Sequence, residues 1–262
     1  MSMHSGASNM SSRIAGACVA FTLALGFSSP ATAWGPDGHR IVALIAIKLL
    51  PPAKAEALNK LLKESAVGRD FVEASGYADD VLRRTHDYDK WHYMDWPDSS
   101  KSAADQKCKP TCVLKALSDQ IRIAKHSTDK EERALALSWI IHLIGDMHQP
   151  LHVAERDHDA GGNGFLVTYM GKEWCGSPSG PGHKPRMNLH TVWDECLVLT
   201  LMGSGTREAL ADDIRGGLTT YKDHPSAKGL RRDWAMETHL LARPTSTPIS
   251  RRRTTSATAT SI

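Results

Sequence analysis

The stretch Ile140-Ile141-His142-Leu143-Ile144-Gly145-Asp146-Met147-His148-Gln149-Pro150-Leu151-His152 decides how this chain is read. It begins as an apolar helix and stops at a proline, yet it carries three histidines and a carboxylate where aliphatic residues are expected. His142 and Asp146 are four residues apart and share a helix face one turn from each other. Pro150 ends the helix, which lets His152 turn back from the following loop. A carboxylate left unpaired in an apolar wall costs several kcal/mol. Ligation of a first-row metal ion by imidazole and carboxylate together removes that cost.

A second pair with the same spacing, His190 and Asp194, falls on another apolar segment. An HxxxD spacing alone is a common coincidence, and the apolar setting of both pairs is what gives them weight. Further candidate ligands are His39, Asp79, His92 and His152, together with the amino group of a processed chain. His148 lies six residues from His142 and faces elsewhere, so it is not counted. His4, His86, His126, His158, His183, His224 and His239 fall in polar or tail contexts and read as surface histidines.

Outward from the central stretch, the pattern is helical. Thr128-Asp129-Lys130-Glu131 offers a capping box for a long helix running to Gln149. Apolar residues recur at helical spacing from Cys112 to His126. A buried helix over 40–50 stops at Pro51-Pro52, an amphipathic one follows over 52–65, and a third covers 70–84 with Tyr77-Ala78-Asp79-Asp80 inside it. Trp91-His92-Tyr93-Met94-Asp95-Trp96-Pro97 reads as extended or looped. Downstream, Phe165–Tyr169 between glycine-rich runs is the one convincing strand, expected in a small hairpin. Helices are expected from Asn188 to about Met202, over 206–222 and over 226–242. The fold class is therefore mainly α with a small β-hairpin.

The 262 residues, 41% hydrophobic and 23% charged, suit one globular domain. A net charge of +3 does not indicate a polyanionic partner by itself. Arg13, an apolar run from Ile14 to Phe27 and Ala31-Thr32-Ala33 form a secretory signal, too short to span a bilayer. Cleavage after Ala33 makes Trp34 the mature N-terminus, in a secreted or periplasmic protein with no membrane anchor. Residues 243–262, rich in Ser, Thr and Arg, read as a disordered tail, leaving 34–242 as the working domain. Cys108, Cys112, Cys175 and Cys196 remain after the leader is removed and suggest two disulfides, with three possible connectivities. The short Cys108–Cys112 loop can close on itself, in which case Cys175 pairs with Cys196.

Taken in order, Trp34-x4-His39, Tyr77-Ala-Asp79, Trp91-His92-Tyr-x-Asp95, His142-x3-Asp146-x-His-Gln-Pro-Leu-His152, Gly-Gly-Asn163 and Asn-Leu-His190-x3-Asp194 resemble the secreted zinc-dependent single-strand nuclease and 3′-nucleotidase family of fungi, plants and bacteria. Bacterial zinc phospholipase C shares that fold more distantly. The resemblance runs from Trp34 to about Ala242 and implies a compact helical phospholipase C/nuclease-like fold around three Zn2+ ions. By it, one zinc takes Asp79, His92, His142 and Asp146. A second takes the amine and carbonyl of Trp34, with His39 and a bridging Asp146. A third takes His152, His190 and Asp194. Asp79, Asp146 and Arg83 would serve catalysis, and Tyr93, Asp95 and Asn163 would bind substrate. That substrate would be single-stranded nucleic acid or nucleotides, cleaved by a monomer to 5′-phosphate products. Three departures accompany the match. Tyr77 stands where the family usually has Trp; Arg83 lies one residue past the usual basic position, so that either Arg83 takes that role or Asp80 rather than Asp79 is the ligand; and the tail replaces further helix. A zinc phospholipase C acting on choline-type headgroups, and a non-catalytic zinc-binding secreted protein, remain as other readings; Tyr93 and Asp95 favour the nuclease.

Overall fold

Prolines set the first helices. Pro36 opens α1 (Pro36–Leu49), four residues ahead of the expected start, and so brings His39 inside the helix. Pro51 precedes α2 (Pro52–Lys63), whose first position is again a proline, where the missing N–H has no partner to lose. The computed structural model describes residues 34–102, 108, 111–175, 187–218 and 231–242, with only the backbone at 82–84. The expected leader (1–33) and tail (243–262) lie outside the described residues.

The helix expected over 70–84 is a 3-10 turn, Glu73–Gly76, that runs directly into α3 (Tyr77–Thr85). A loop then leads to α4 (Val113–His126), which packs along α5 (Lys130–Met147). The α5 cap sits one residue beyond Thr128: the Asp129 carboxylate accepts the Glu131 N–H at 2.8 Å. Ser127 replaces the threonine's part, accepting from the Asp129 N–H and donating to Glu132.

Helix α5 is the axis of the molecule. Trp139, Leu143 and Met147 pack with Val113, Ala116 and Leu117 of α4 and with Met94 and Trp96. On the other side, Ala134 and Ile141 pack with Ala43 of α1, Leu62 of α2, Phe71 and Ala74. His142 and Asp146 are fully buried on the same helix, between these two apolar clusters. An apolar helix buried this broadly belongs in a core, and here its polar residues have nowhere to go but inward.

Beyond α5, the turn Pro150–His152 leads into a segment that pairs with residues 94–98. The Met94 N–H donates to the His152 carbonyl at 2.8 Å, the Glu155 N–H to Trp96 at 2.8 Å, and the Asp98 N–H to Glu155 at 3.2 Å. The helix expected from Asn188 is an unbroken run of three pieces: α6 (Leu189–Thr191), a π-helical turn (Val192–Cys196) and α7 (Leu197–Met202). Helices α8 (Arg207–Gly217) and α9 (Arg231–Ala242) complete the described set. The expected hairpin is minimal. Tyr169 and Lys172 exchange backbone bonds around Met170-Gly171, and Leu166 bridges Asn188, with no sheet among the described residues. No described helix is long and apolar enough to cross a membrane. The disulfides are Cys108–Cys112 and Cys175–Cys196.

Because Leu117 is 0% exposed in the α4–α5 interface, Leu117→Ala should cost about 2–5 kcal/mol of stability. Denaturant unfolding should show this as a lower midpoint with the slope unchanged.

Candidate metal centre

Three histidines are aimed in the same way. His142 Nδ1 lies 2.7 Å from the Ser75 carbonyl, His152 Nδ1 2.7 Å from the His92 carbonyl, and His190 Nδ1 2.7 Å from the Gly161 carbonyl. A carbonyl only accepts, so each Nδ1 carries a proton and Nε2 is the nitrogen turned towards the other members of its group. Fixing the ring through its far nitrogen is how proteins orient imidazole towards a cation.

The first two groups interleave. His142 Nε2 sits 3.2 Å from Asp146 Oδ2 across one helical turn and 3.5 Å from Asp79 Oδ1 of α3. His92 Nδ1 is 2.9 Å from Asp146 Oδ2 and 3.0 Å from His142 Nε2. His39, from α1, stacks on His142 with ring centres 4.0 Å apart, and its Nε2 is 3.3 Å from Asp146 Oδ1. The ring can lie there because residue 145 is glycine, where a Cβ would come within 2.9 Å of His39 Nδ1. His39, Asp79 and His142 form one potential cation site, and His92, His142 and Asp146 another, with every member buried.

The third group is built from loops and one helix end. His152 Nε2 and His190 Nε2 face each other at 3.0 Å, and His190 Nε2 is 3.2 Å from Asp194 Oδ2. Two imidazole nitrogens this close cannot both carry protons without a clash of like donors. Asn188 caps the helix bearing His190 through the Thr191 N–H, and the π-helical turn carries Asp194. Gln149, 0% exposed, accepts the Leu151 N–H at 2.5 Å and donates to Asp194 Oδ1 at 2.5 Å. Gly161, at φ +61°, allows the chain to approach the Leu151 carbonyl, where a Cβ would be only 2.5 Å away.

Burial opposes charge on all these groups, and neighbours decide the outcome. At His142 burial works against the proton, but Asp146 and Asp79 outweigh it and hold the pKa at about 9. Asp146, likewise opposed by burial, is held well below the usual carboxylate value by His142, with the neighbouring His39 and His92 adding to the effect. Burial and the charge on His142 push His39 down. Burial, aided by His190, takes His152 down to about 3. His190 is raised against its burial by Asp194, while burial raises Asp194 itself.

Buried polar atoms without a hydrogen-bond partner collect here: His39 Nε2, Asp79 Oδ1, His92 Nε2 and Asp146 Oδ1. Four orphaned atoms in one pocket would be a heavy burden on a marginally stable fold. A divalent cation satisfies imidazole lone pairs and carboxylates together, so this donor set fits such ions.

The remaining sequence candidates fall into place around this core. Trp34 lies beside it, its indole N–H donating to the Gly145 carbonyl at 3.0 Å, and the next residue's N–H donates to the Asp194 carbonyl at 2.7 Å. Asp80 turns away from Asp79 and pairs with Arg69. The Arg83 side chain lies outside the described residues. Tyr93 is half-buried and Asp95 exposed on either side of Met94. Asn163 is tied into its loop, donating to the Ala160 carbonyl at 2.9 Å and accepting from Asn188 at 3.3 Å. His148 is exposed, and so are His86, His126 and His158. His239 is not a surface residue: it is 0% exposed, and its Nδ1 donates to the Val153 carbonyl at 2.7 Å. A polar flank in the sequence concealed that helix α9 packs on the turn at 150–152.

A helical domain that gathers three buried His/Asp groups has the donor sets that divalent cations take. Residues 34–260 match the family model for S1/P1 nuclease, and the chain belongs to that family. It is 29% identical over 202 residues to Endonuclease 2 of Arabidopsis thaliana, covering 71% of this chain and 64% of that protein. To Nuclease S1 of Aspergillus oryzae it is 29% identical over 168 residues, 62% of this chain and 53% of the relative. Nuclease P1 of Penicillium citrinum is 28% identical over 189 residues, 68% of this chain and 62% of its own length. The chain thus spans between half and two thirds of the length of these relatives.

Two outcomes follow from the geometry. Gly145→Ala should displace His39 and reduce the divalent cation held per chain, measured by elemental analysis, with a stability loss of about 1–3 kcal/mol from overpacking. In the cation-free protein His142 keeps its proton up to about pH 9. A cation entering near neutral pH must expel that proton, so affinity should rise as pH climbs towards 9 and fall as it drops. Calorimetry in buffers of different ionisation enthalpy should read the released proton directly.

Proposed function

We propose that this protein hydrolyses phosphodiester bonds in single-stranded DNA and RNA, leaves 5′-phosphates, and holds three zinc ions to do so. Accompanying 3′-nucleotidase activity is part of the same reading. The observation that carries it is the presence of three buried His/Asp groups in a chain of the S1/P1 nuclease family. Zinc is favoured because imidazole nitrogen and carboxylate oxygen, without thiolate, match its preferences in hydrolytic sites. Bound zinc would supply the acidity that makes water a nucleophile near neutral pH and the charge that stabilises a phosphodiester under attack.

The protein's own residues do the rest. His92, His142 and Asp79 would hold one ion, and His39 with the Trp34 amine and carbonyl a neighbouring one, with Asp146 within reach of both sets. His152, His190 and Asp194 would hold the third. Gln149 keeps Asp194 aimed, and the Ser75, His92 and Gly161 carbonyls keep three imidazoles in the tautomer that binds a cation. Tyr93 offers a half-buried ring for a base to stack on, and Asp95 an exposed carboxylate for its polar edge. Asp79 and Asp146 would serve the reacting centre, and Arg83, in α3, would take the part of the family's basic residue. Asn163 supports the substrate side of the third group.

Export with cleavage after Ala33 frees the Trp34 amine. Support for this comes from the anchoring of Trp34 on Gly145 and of Gly35 on Asp194, which holds the start of the domain against the centre. Two disulfides suit an oxidising compartment, so the reading places the protein outside the cytoplasm as a monomer over residues 34–242. The phospholipase and non-catalytic readings have no observation of their own in favour.

Release of 5′-mononucleotides should be far faster from single-stranded than from double-stranded DNA and should stop on complete zinc removal. Activity that survives that removal would refute the mechanism. Asp146→Asn should cost two zinc ions per chain where His190→Ala costs one, as elemental analysis of the purified variants would report.

A further inference from the structure

The segment carrying His92 has a second face. Side chains alternate along it, so Met94 and Trp96 point away from Tyr93 and Asp95. On that far side lies a cavity of about 360 Å³, floored by Met94, Trp96 and the Cys108–Cys112 disulfide. Its rim is cationic: Lys115 comes from α4, and Arg231 and Arg232 come from the start of α9. Asp119 offsets Lys115 through an ion pair. Arg231 is anchored by its Nε on Ser118 Oγ at 3.2 Å. Both arginines are exposed.

The two halves of this cavity ask for different chemistry in one ligand. Among the described residues the floor is apolar and sulfur surface, with Leu114 and Ser118 beside it, and suits a flat, weakly hydrated ring. The rim suits an anion, and a guanidinium matches phosphate oxygens in particular. Its volume lies in the range of small-ligand pockets. Trp96 follows His92 by four residues, at most about 14 Å of chain, so the cavity and the metal centre share one segment. The floor is also tied to that centre. Trp96 meets His239 edge-on at 5.7 Å, and His239 donates to Val153, the residue after His152.

We propose that this cavity is a further nucleotide subsite for the single strand. It takes one base against Met94, Trp96 and the disulfide while Arg231, Arg232 and Lys115 hold the adjoining phosphates. The proposal rests on the nuclease reading above and adds to it a second point of grip, remote from the reacting bond.

The test uses the zinc-loaded protein and its Arg231→Glu/Arg232→Glu variant, with a dinucleotide and a ten-nucleotide DNA strand as substrates. The dinucleotide is too short to occupy both places. The variant should raise KM for the longer strand by about tenfold, lower the salt dependence of its binding by about two counterions, and leave dinucleotide kcat/KM unchanged. An unchanged KM and salt slope for the long strand would overturn the proposal. If the wild type cleaves neither substrate, the nuclease reading fails on its own. Fluorescence anisotropy with a labelled ten-nucleotide strand then decides the subsite: weaker binding by the variant supports it, and equal binding overturns it. Lys115→Gln, on a different helix, repeats the measurement should the double variant lose its thermal transition. An abasic strand of the same length should bind the wild type several-fold more weakly; equal binding would remove the base from the cavity.

Discussion

A carboxylate with no exposure to solvent, Asp146, is held inside α5, a helix with more than half of its residues buried. That burial is tolerable only while imidazoles surround the charge, because an isolated ion in such a place costs far more than one fold can spare. The imidazoles come from different parts of the chain: His39 from α1, His92 from the loop after α3, and His142 from the same helix. Bringing them together requires α1 and the 92–98 segment to reach α5. The two apolar clusters on either side of α5 are what force that approach. Hydrophobic burial and charge compensation are therefore parts of one arrangement.

Much of this could be read in the sequence, for identifiable reasons. Pro51 and Pro52 mark a helix boundary because their backbone chemistry is local. The i, i+4 relation of His142 and Asp146 is local too, and survives in the 3.2 Å contact between them. The ordered histidine and aspartate motifs added the rest of the constellation through family resemblance. What stayed hidden depends on approaches between distant segments. Nothing around Gln149 says that its amide reaches Asp194, 45 positions on. Gly145 and Gly161 look like ordinary glycines until a ring and a carbonyl are found where a Cβ would be. His239 sits among polar neighbours and is nonetheless buried, because α9 lies on the 150–152 turn. The π-helical turn at 192–196 has the same apolar spacing as the α-helix that was expected, so periodicity could not separate them.

The start of the domain is bound into the same centre. Trp34 covers Gly145 and Gly38, and Gly35 hydrogen-bonds to the backbone of the residue whose side chain completes the third group. The beginning of α1 is thus held by contacts on both sides of the centre, and the Cys175–Cys196 disulfide adds a covalent hold near Asp194. Small distortions at this end of the chain would be felt at every group, since each shares a neighbour with the next.

The bond from His152 Nδ1 to the His92 carbonyl joins a histidine of one group to the main chain of a histidine of another. The return bond from the Met94 N–H to the His152 carbonyl closes the pair. The gap between the two parts of the centre is therefore set by peptide geometry and not by whatever ions occupy it. The protein carries, in effect, a fixed calliper: the distance between its jaws belongs to the main chain, and a change at one jaw need not move the other.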